Sequence, residues 1–294
     1  MAEAAASAGP RSAALPLQVV RLRHPARWVA VAVVVLLLVA LVRSLVTNER
    51  FQWDVVFDYL FSGSIVRGLG NTLLLTVVAM VVGVLLGVVL AVGRSSKNLV
   101  VAGAAGAYVG FFRGTPLLVQ LIFWFNLAAL YPVIALKVPF GPTLFSGSAN
   151  TLITPLVAAI LGLGLNEAAY MAEIVRAGLQ SVDAGQTQAA QALGMSGRQV
   201  FSRIVLPQAL RVIIPPTGNQ TISMLKTTSL VSVISLPELL YAAQIIYSRT
   251  YEVIPLLIAA SLWYLALTTV LSIGQGFLER RLGRGDATRQ VRAA

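Results

Sequence analysis

The chain has 294 residues, of which 57% are hydrophobic and 11% charged, and its mean hydropathy is +0.81. This composition excludes an ordinary soluble domain and is typical of a protein that crosses a membrane several times. The absence of cysteine excludes disulfides and zinc–thiolate sites, and membrane topology explains the net charge of +11 better than nucleic-acid binding does.

The first segment that can cross a membrane is the apolar run from Trp28 to Val46. We expect residues 1–27 before it to form a disordered basic tail. About 20 residues span a bilayer, and Arg43 near the end of the run can extend its side chain to the interface. The basic start would also suit a cleaved signal peptide, but no small-x-small cleavage site follows. The sequence therefore favours a retained first transmembrane helix at residues 28–46.

The next segments predict an interfacial stretch and a second span. Residues 47–64 mix aromatic and acidic side chains, which is typical of an amphipathic segment at a membrane surface. Thr72 to Val92 is apolar throughout, and Gly83 and Gly87 within it form a Gly-x-x-x-Gly pair that permits close helix packing. The residues from 55 onward thus begin the main membrane domain.

Four further apolar runs complete a prediction of about six transmembrane helices in an all-α integral membrane protein. Their approximate limits are 116–130, 151–174, 212–234 and 253–273. Pro116 suits the first turn of the third span. Between the spans we expect an outside loop from Tyr131 and a polar excursion at 237–252 with a possible short helix. Residues 279–294 form a basic tail.

Lysine and arginine side chains predict the orientation of the chain. With the N-terminus inside and six spans, sixteen basic residues are cytoplasmic and five are external. Those inside are Arg11, Arg21, Arg23, Arg27, Arg94, Lys97, Arg113, Arg176, Arg198, Arg203, Arg211, Arg280, Arg281, Arg284, Arg289 and Arg292. Those outside are Arg43, Arg50, Arg67, Lys137 and Arg249. Such a bias places both termini in the cytoplasm.

Polar side chains inside the spans are candidates for a substrate path. Glu167 and Lys226 are the two charged residues, and charges inside a membrane usually face a cavity or a partner. In one interpretation they bind a zwitterion, with Glu167 contacting an amino or cationic group and Lys226 contacting a carboxylate. In the other they have a structural role. Further candidates are Tyr170, Asn219, Gln220 and Thr228. Glu173 and Arg176 form an expected i,i+3 pair.

The segment between the fourth and fifth spans is polar and has strong helix signals. Asp183 is an expected N-cap with Gln186 three residues on, followed by a helix from about Ala184 to Leu193. Gly194 directly follows this helix, at the position where a C-terminal cap adopts the left-handed conformation. Ser196 and Gln199 then offer a second capping box for another short helix. We expect Ala189, Ala190 and Gly194 to present a nearly bare face that another surface can approach.

This pattern resembles the "EAA" loop of permease subunits of ATP-binding-cassette importers, with every spacing kept. The matching positions are Gln188, Ala189, Ala190, Gly194, Ile204, Leu206 and Pro207. Gln188 replaces the usual glutamate and removes a charge that would pair with the ATPase. The resemblance implies that residues 177–207 form a cytoplasmic coupling loop on which a separate ATPase subunit docks. A short Ala-rich helix without a partner is the plainer alternative.

Resemblance extends over roughly residues 55–278, to the permeases for histidine, glutamine, glutamate and arginine. It is carried by Arg113-Gly-Thr-Pro-Leu-Leu-Val-Gln120, Ala169-Tyr170, Glu173-Ile-Val-Arg176, Leu206-Pro-Gln-Ala-Leu-Arg211 and Thr228-Ser-Leu230. Thr227 replaces an aspartate of the family pattern. The implied architecture is a five-helix type I importer core with one extra N-terminal helix.

The resemblance also implies partners. These are an ATPase subunit, an extracytoplasmic solute-binding protein, a second permease subunit (identical or different), membrane lipid and a polar amino acid as substrate. The chain contains no Gly-x-x-x-x-Gly-Lys-Ser/Thr pattern, so ATP would be used by the partner, and we expect this chain to be no enzyme and to bind no cofactor or metal. A stand-alone secondary transporter or channel is the alternative, and a non-transporting membrane anchor is a further rival.

Overall fold

The computed structural model describes residues 25–138 and 142–283, in two compact units, Met1–Phe51 and Gln52–Ala294. The first unit contains helix α1 (Pro25–Thr47), which is apolar on all sides, and a 3₁₀ turn (Glu49–Phe51). Within α1, the stretch from Arg27 to Thr47 is long and apolar enough to cross a membrane. Its position agrees with the first span expected at 28–46.

The second unit holds the remaining helices and a short hairpin. In chain order they are α2 (Trp53–Leu60), α3 (Gly63–Arg94), α4 (Leu99–Gly114), α5 (Leu117–Phe125), α6 (Leu127–Leu130), β1 (Val133–Lys137), β2 (Thr143–Ser148), α7 (Ala149–Leu152), α8 (Pro155–Gln180), α9 (Ala184–Ala192), α10 (Gly197–Val200), α11 (Leu206–Thr227), α12 (Leu239–Thr250) and α13 (Val253–Gly283). A π turn (Phe201–Val205) joins α10 to α11, and a 3₁₀ turn (Thr228–Ile234) follows α11.

The number of spans agrees with the sequence. Within the described residues, four single helices can cross a membrane: α1, α3, α8 and α13. Two bent pairs, α4 with α5 and the helix from Gly197 to Ile234 with α12, raise the number to six if each counts as one span. The α2 helix falls in the expected interfacial stretch, and α12 is the short helix expected at 237–252.

The third span differs from the prediction of one helix at 116–130. The α5 helix has nine residues, about 14 Å in length, so it is too short to cross a bilayer by itself. It meets α4 at an angle of 101°. The break lies at Thr115, whose backbone is extended, and at Pro116, which has no N–H to continue α4. The apolar stretch from Leu99, unassigned in the sequence, thus forms a bent pair with α5, which is a broken span or a re-entrant loop.

The fifth span begins earlier than residue 212, because the helix after Gly194 is not short. From Gly197 the chain runs through the π turn directly into α11. Pro207 is the second residue of α11 and comes directly after the π turn. The wide turn at Phe201–Val205 keeps the rod helical up to this proline. The polar loop and the span are thus one continuous helical element.

The core of the second unit lies between α3 and α8. Gly83 and Gly87 of α3 face α8, and an added Cβ on Gly87 would stand 2.5 Å from Cβ of Met171. The Gly-x-x-x-Gly pair thus has the close-packing role that its spacing predicts. A second cluster joins α2, α12 and α13, where the Trp263 indole N–H donates to the Leu60 carbonyl at 2.7 Å.

Two features depart from the all-α prediction and its boundaries. The expected outside loop contains an antiparallel hairpin of β1 and β2, in which Val133 pairs with Ser148. The α13 helix continues to Gly283, so Arg280 and Arg281 are helical rather than part of a tail. The tail expected to be disordered over residues 1–27 is wrong at its end, because α1 begins at Pro25. Residues 1–24 of that tail and residues 284–294 of the expected basic tail 279–294 lie outside the described residues.

Candidate functional site

The α9 helix forms as the sequence predicts and is capped at both ends. The Asp183 carboxylate accepts from the Gly185 N–H at 2.6 Å, although Gln186 does not complete a capping box. Gly194 has φ +79°, a conformation that costs other residues about 1–2 kcal/mol. Its N–H donates to the Gln191 carbonyl at 2.9 Å, and the next N–H reaches back to Ala190 at 3.1 Å. These two bonds form a Schellman motif that ends the helix abruptly.

The exposed face of α9 differs from the expected one. Ala190 is only 5% exposed, because α9 packs on α10 and the π turn, where Val200 is also buried. Ala189 lies in solvent, and Leu193 is 84% exposed. The prediction that Ala190 belongs to an open docking face is therefore wrong for this chain on its own. The open face combines Ala189 and Leu193, which are one helical turn apart.

The other predicted docking positions divide between surface and packing. Gln188, Gly194 and Pro207 are exposed, whereas Ile204 and Leu206 are half-buried. At the start of α10, the Gln199 side-chain oxygen accepts from the Ser196 backbone N–H at 2.9 Å and from its hydroxyl at 3.0 Å. The predicted second cap is therefore present.

A polar stripe runs along the exposed side of α11. Asn219, Ser223 and Lys226 are all exposed and recur at intervals of four and three residues, so they share one helical face. Gln220 beside them is half-buried. A cavity of about 380 Å³ opens at the end of the stripe, lined by Ser223, Lys226, Thr227, Ser229 and Leu230. Polar side chains on a membrane-spanning helix need a polar partner or water on this face.

Two predicted path residues lie inside the packing of the chain. Glu167 is 4% exposed, lies against α3, and has one carboxylate oxygen without a hydrogen-bond partner in the part of the chain that the structure describes. Thr228 is buried, and its hydroxyl donates to the Leu225 carbonyl at 2.7 Å. Glu167 and Lys226 form no ion pair. Of the six candidates, Tyr170, Asn219 and Lys226 are exposed.

An ion-pair cluster joins α3 to the end of α8. The Glu173 carboxylate accepts from the Arg176 guanidinium at 2.7 Å, which confirms the predicted i,i+3 pair. Arg94 at the end of α3 donates to the other oxygen of Glu173. Arg113 lies further along α4, with its guanidinium carbon 5.3 Å from the ring centre of Tyr170. Two arginines thus bind one glutamate, and a third arginine stacks on a tyrosine one turn away along α8.

A buried amide pair holds the bend between α4 and α5. The Gln120 side-chain N–H₂ donates to the Phe112 carbonyl at 3.1 Å and to the Thr115 hydroxyl at 2.8 Å. The Asn166 amide of α8 donates to the same Phe112 carbonyl at 2.9 Å and to the Gln120 side-chain oxygen at 3.3 Å. The carbonyl that the break frees is therefore satisfied from two helices.

Sequence reasoning missed one buried acid. Glu238 is fully buried at the N-cap of α12, where it accepts from the Tyr241 N–H and the Tyr264 hydroxyl, both at 2.7 Å. It lay within the predicted polar excursion, so it was not counted among the membrane charges. An acidic side chain directly before an apolar helical run was the available signal, because such residues favour helix N-termini.

Comparison with known proteins gives one family. The sequence profile described as "Binding-protein-dependent transport system inner membrane component" matches residues 83–284. The chain is 45% identical over 273 residues to the arginine transport system permease protein ArgU of Corynebacterium glutamicum, covering 92% of this chain and 84% of that protein. It is 33% identical over 238 residues to the probable amino-acid ABC transporter permease protein YckA of Bacillus subtilis, covering 79% and 97%.

A solved structure agrees with these sequence matches. The crystal structure of an amino acid ABC transporter with histidines superposes with a TM-score of 0.63 and 36% identity. The superposition covers 74% of this chain and 94% of the other chain. Almost the whole of that protein is thus represented here, while about a quarter of this chain lies outside it.

Proposed function

This chain belongs to the family of binding-protein-dependent transport system inner membrane components, and from that premise we propose how its surfaces serve import of a polar amino acid. It is a permease subunit, and its relatives are amino-acid ABC transporter permeases. The proposal has three parts: a docking face for a separate ATPase subunit, a path shared with a second permease subunit, and a defined orientation. ATP is used by the ATPase partner.

The observation that carries the proposal is the open apolar face of α9. Leu193 is 84% exposed at the C-terminal end of α9, a polar helix that is too short to cross a membrane. An exposed leucine beside Ala189 suits a shallow groove on another protein, since large apolar side chains bind best when they fill a pocket. The α9 helix packs on the helical segment that continues into α11, so a displacement of α9 would also move a membrane-spanning helix.

The polar stripe on α11 supports the second part. Asn219, Ser223 and Lys226 are open in this chain, and lipid contact with them is unfavourable. A second permease subunit facing the stripe across a water-filled path removes that contact. Glu167 and Thr228 are left out of the path, because both lie inside the packing of this chain.

The substrate and the orientation form the third part. ArgU is named as an arginine permease, and a basic or other polar amino acid fits a path with hydroxyl, amide and ammonium groups. Delivery would come from an extracytoplasmic binding protein. The α8 helix has 26 residues, about 39 Å in length, and it crosses the bilayer, so the hairpin and α9 lie on opposite sides. The excess of basic residues supports a cytoplasmic α9 and cytoplasmic termini.

Co-purification tests the docking part. The tagged chain, extracted in mild detergent from its native membrane, should bring an ATPase subunit in about equal amount, identified by mass. Leu193→Asp should lose that subunit while the permease still inserts. Leu144→Asp on β2, which changes another exposed leucine (66%, against 84% for Leu193) at the other membrane side, is the matched control. An assembly without any ATPase that moves amino acids in vesicles without ATP would instead favour a secondary transporter.

A further inference from the structure

The middle of α8 has one open position on its surface. Every residue from Gly162 to Ala172 is buried or half-buried except Tyr170, which is 37% exposed. The other sides of α8 are covered: α3 packs on it through Gly83, α4 through Phe112 and α5 through Leu121. Tyr170 therefore marks the side of α8 that these three helices leave uncovered.

This open position lies on α8, a helix long and apolar enough to cross a membrane. Ten residues separate Tyr170 from Gln180 at the end of α8, about 15 Å along the helix, and the hydrocarbon core is about 30 Å thick. Arg113, the second-last residue of α4, is exposed beside it and places its guanidinium over the tyrosine ring. The contact orients the planar cation by cation–π attraction.

The Arg113 guanidinium has no ionic partner within the described ranges. No carboxylate lies within ion-pair distance of it, and Glu173, one turn along α8, already binds Arg94 and Arg176. A guanidinium exposed beside a membrane-spanning helix avoids lipid and faces water or a ligand. Its five N–H donors are arranged for bidentate binding of a carboxylate.

We propose that Arg113, held by Tyr170, is the subsite of the path that binds the α-carboxylate of the amino acid during its passage. The proposal rests on the transport function given above and adds to it the group that this part of the path recognises. Lys226 on α11 and Arg113 on α4 are then two separate cationic positions in the path. Of these two side chains, Arg113 has the planar guanidinium that can bind both oxygens of a carboxylate, so it distinguishes a carboxylate from an uncharged amide.

Uptake by the complete transporter in liposomes tests this subsite. The probes are the free L-amino acid that a panel of the common amino acids identifies as substrate, and the α-amide of the same amino acid. For Arg113→Gln we expect KM of the free acid to rise roughly tenfold or more, while KM of the amide and ATPase docking stay unchanged. Arg113→Lys keeps the charge without the fork and should give an intermediate KM.

Tyr170 and Lys97 supply the remaining variants. Tyr170→Leu should raise KM of the free acid more than Tyr170→Phe, because phenylalanine keeps the ring under the guanidinium. Lys97→Gln removes an exposed basic side chain from the neighbouring α3–α4 loop and should behave as the unmodified chain. The carboxylate subsite would be wrong, with the transport proposal untouched, in either of two outcomes. Arg113→Gln could keep the preference for the acid over the amide, or it could lower kcat equally for both probes. Absence of ATP-driven uptake by the unmodified transporter overturns the transport proposal as well.

Discussion

The backbone of Gly83 in α3 lies directly against the side chain of Glu167 in α8: a Cβ on Gly83 would stand 2.5 Å from Cγ of Glu167. The carboxylate is thereby enclosed between two membrane-spanning helices. This contact explains why Glu167 is buried although it is charged, and why it does not border the polar stripe of α11.

We expect Gly83→Ala to loosen the α3–α8 interface. The added methyl group meets a packed side chain, and overpacking of this kind costs about 1–3 kcal/mol. The measurement is the thermal midpoint of the purified permease in detergent. Gly70→Ala in the same helix is the matched control, because no atom lies within 4 Å of its added Cβ. A fall for Gly70→Ala as large as for Gly83→Ala would contradict the interpretation.

The left-handed glycine after α9 gives a second prediction. Gly194 has φ +79° and open space around it. Gly194→Arg should leave the permease in the membrane and abolish transport and stimulation of the ATPase, because it adds a bulky charge to the docking face. Gly194→Asn is the control for backbone strain, since asparagine tolerates this conformation, and it should retain most activity. Normal transport by Gly194→Arg would exclude a coupling role for this position.

Local signals in the sequence predicted most spans and caps. The apolar run Thr72–Val92 lies inside α3, and Gly194 has the predicted left-handed conformation. These features depend on neighbouring residues alone: a bilayer selects apolar length, and a positive φ selects glycine. In the 177–207 loop, the Asp183 cap, the α9 helix and the Ser196–Gln199 capping box were predicted correctly for the same reason, whereas the capping box with Gln186 does not form.

Features that depend on distant residues were missed. The side of α9 that Ala190 faces is set by packing on the π turn. The helix continues through Pro207, directly after the same π turn. The sequence marked a helix start at Pro116 but gave no means of predicting a 101° bend. Burial of Glu167 depends on the glycine of another helix, 84 positions earlier in the chain.

The buried amides at the bend yield a third prediction, a non-additive loss of stability. Gln120 and Asn166 both donate to the Phe112 carbonyl, so each single change to leucine leaves one donor. Each single variant should cost about 1 kcal/mol, whereas the double variant leaves the carbonyl unsatisfied and should cost clearly more than the sum. Thermal midpoints of the four proteins form the double-mutant cycle. Simple additivity would show that the carbonyl finds water.

The Glu238 cluster gives the last prediction, which separates charge from hydrogen bonding. Glu238 ties the start of α12 to α13 by accepting a hydrogen bond from the Tyr264 hydroxyl. The Thr72 hydroxyl of α3 accepts from the Leu239 N–H at 3.1 Å, which ties the same helix start to α3. Glu238→Gln keeps an oxygen that can accept from the Tyr241 N–H, so we expect a modest loss of stability.

Glu238→Leu removes every acceptor and leaves buried donors unpaired. Each unpaired donor costs about 1–3 kcal/mol, so this variant should assemble poorly or melt at a much lower temperature. Tyr264→Phe removes one donor alone and should lie close to Glu238→Gln. The same thermal midpoints and the yield of assembled permease decide the order. If Glu238→Leu were as stable as Glu238→Gln, the hydrogen bonds would not hold the three helices together, and packing of Leu239 and Leu256 in the same cluster would suffice.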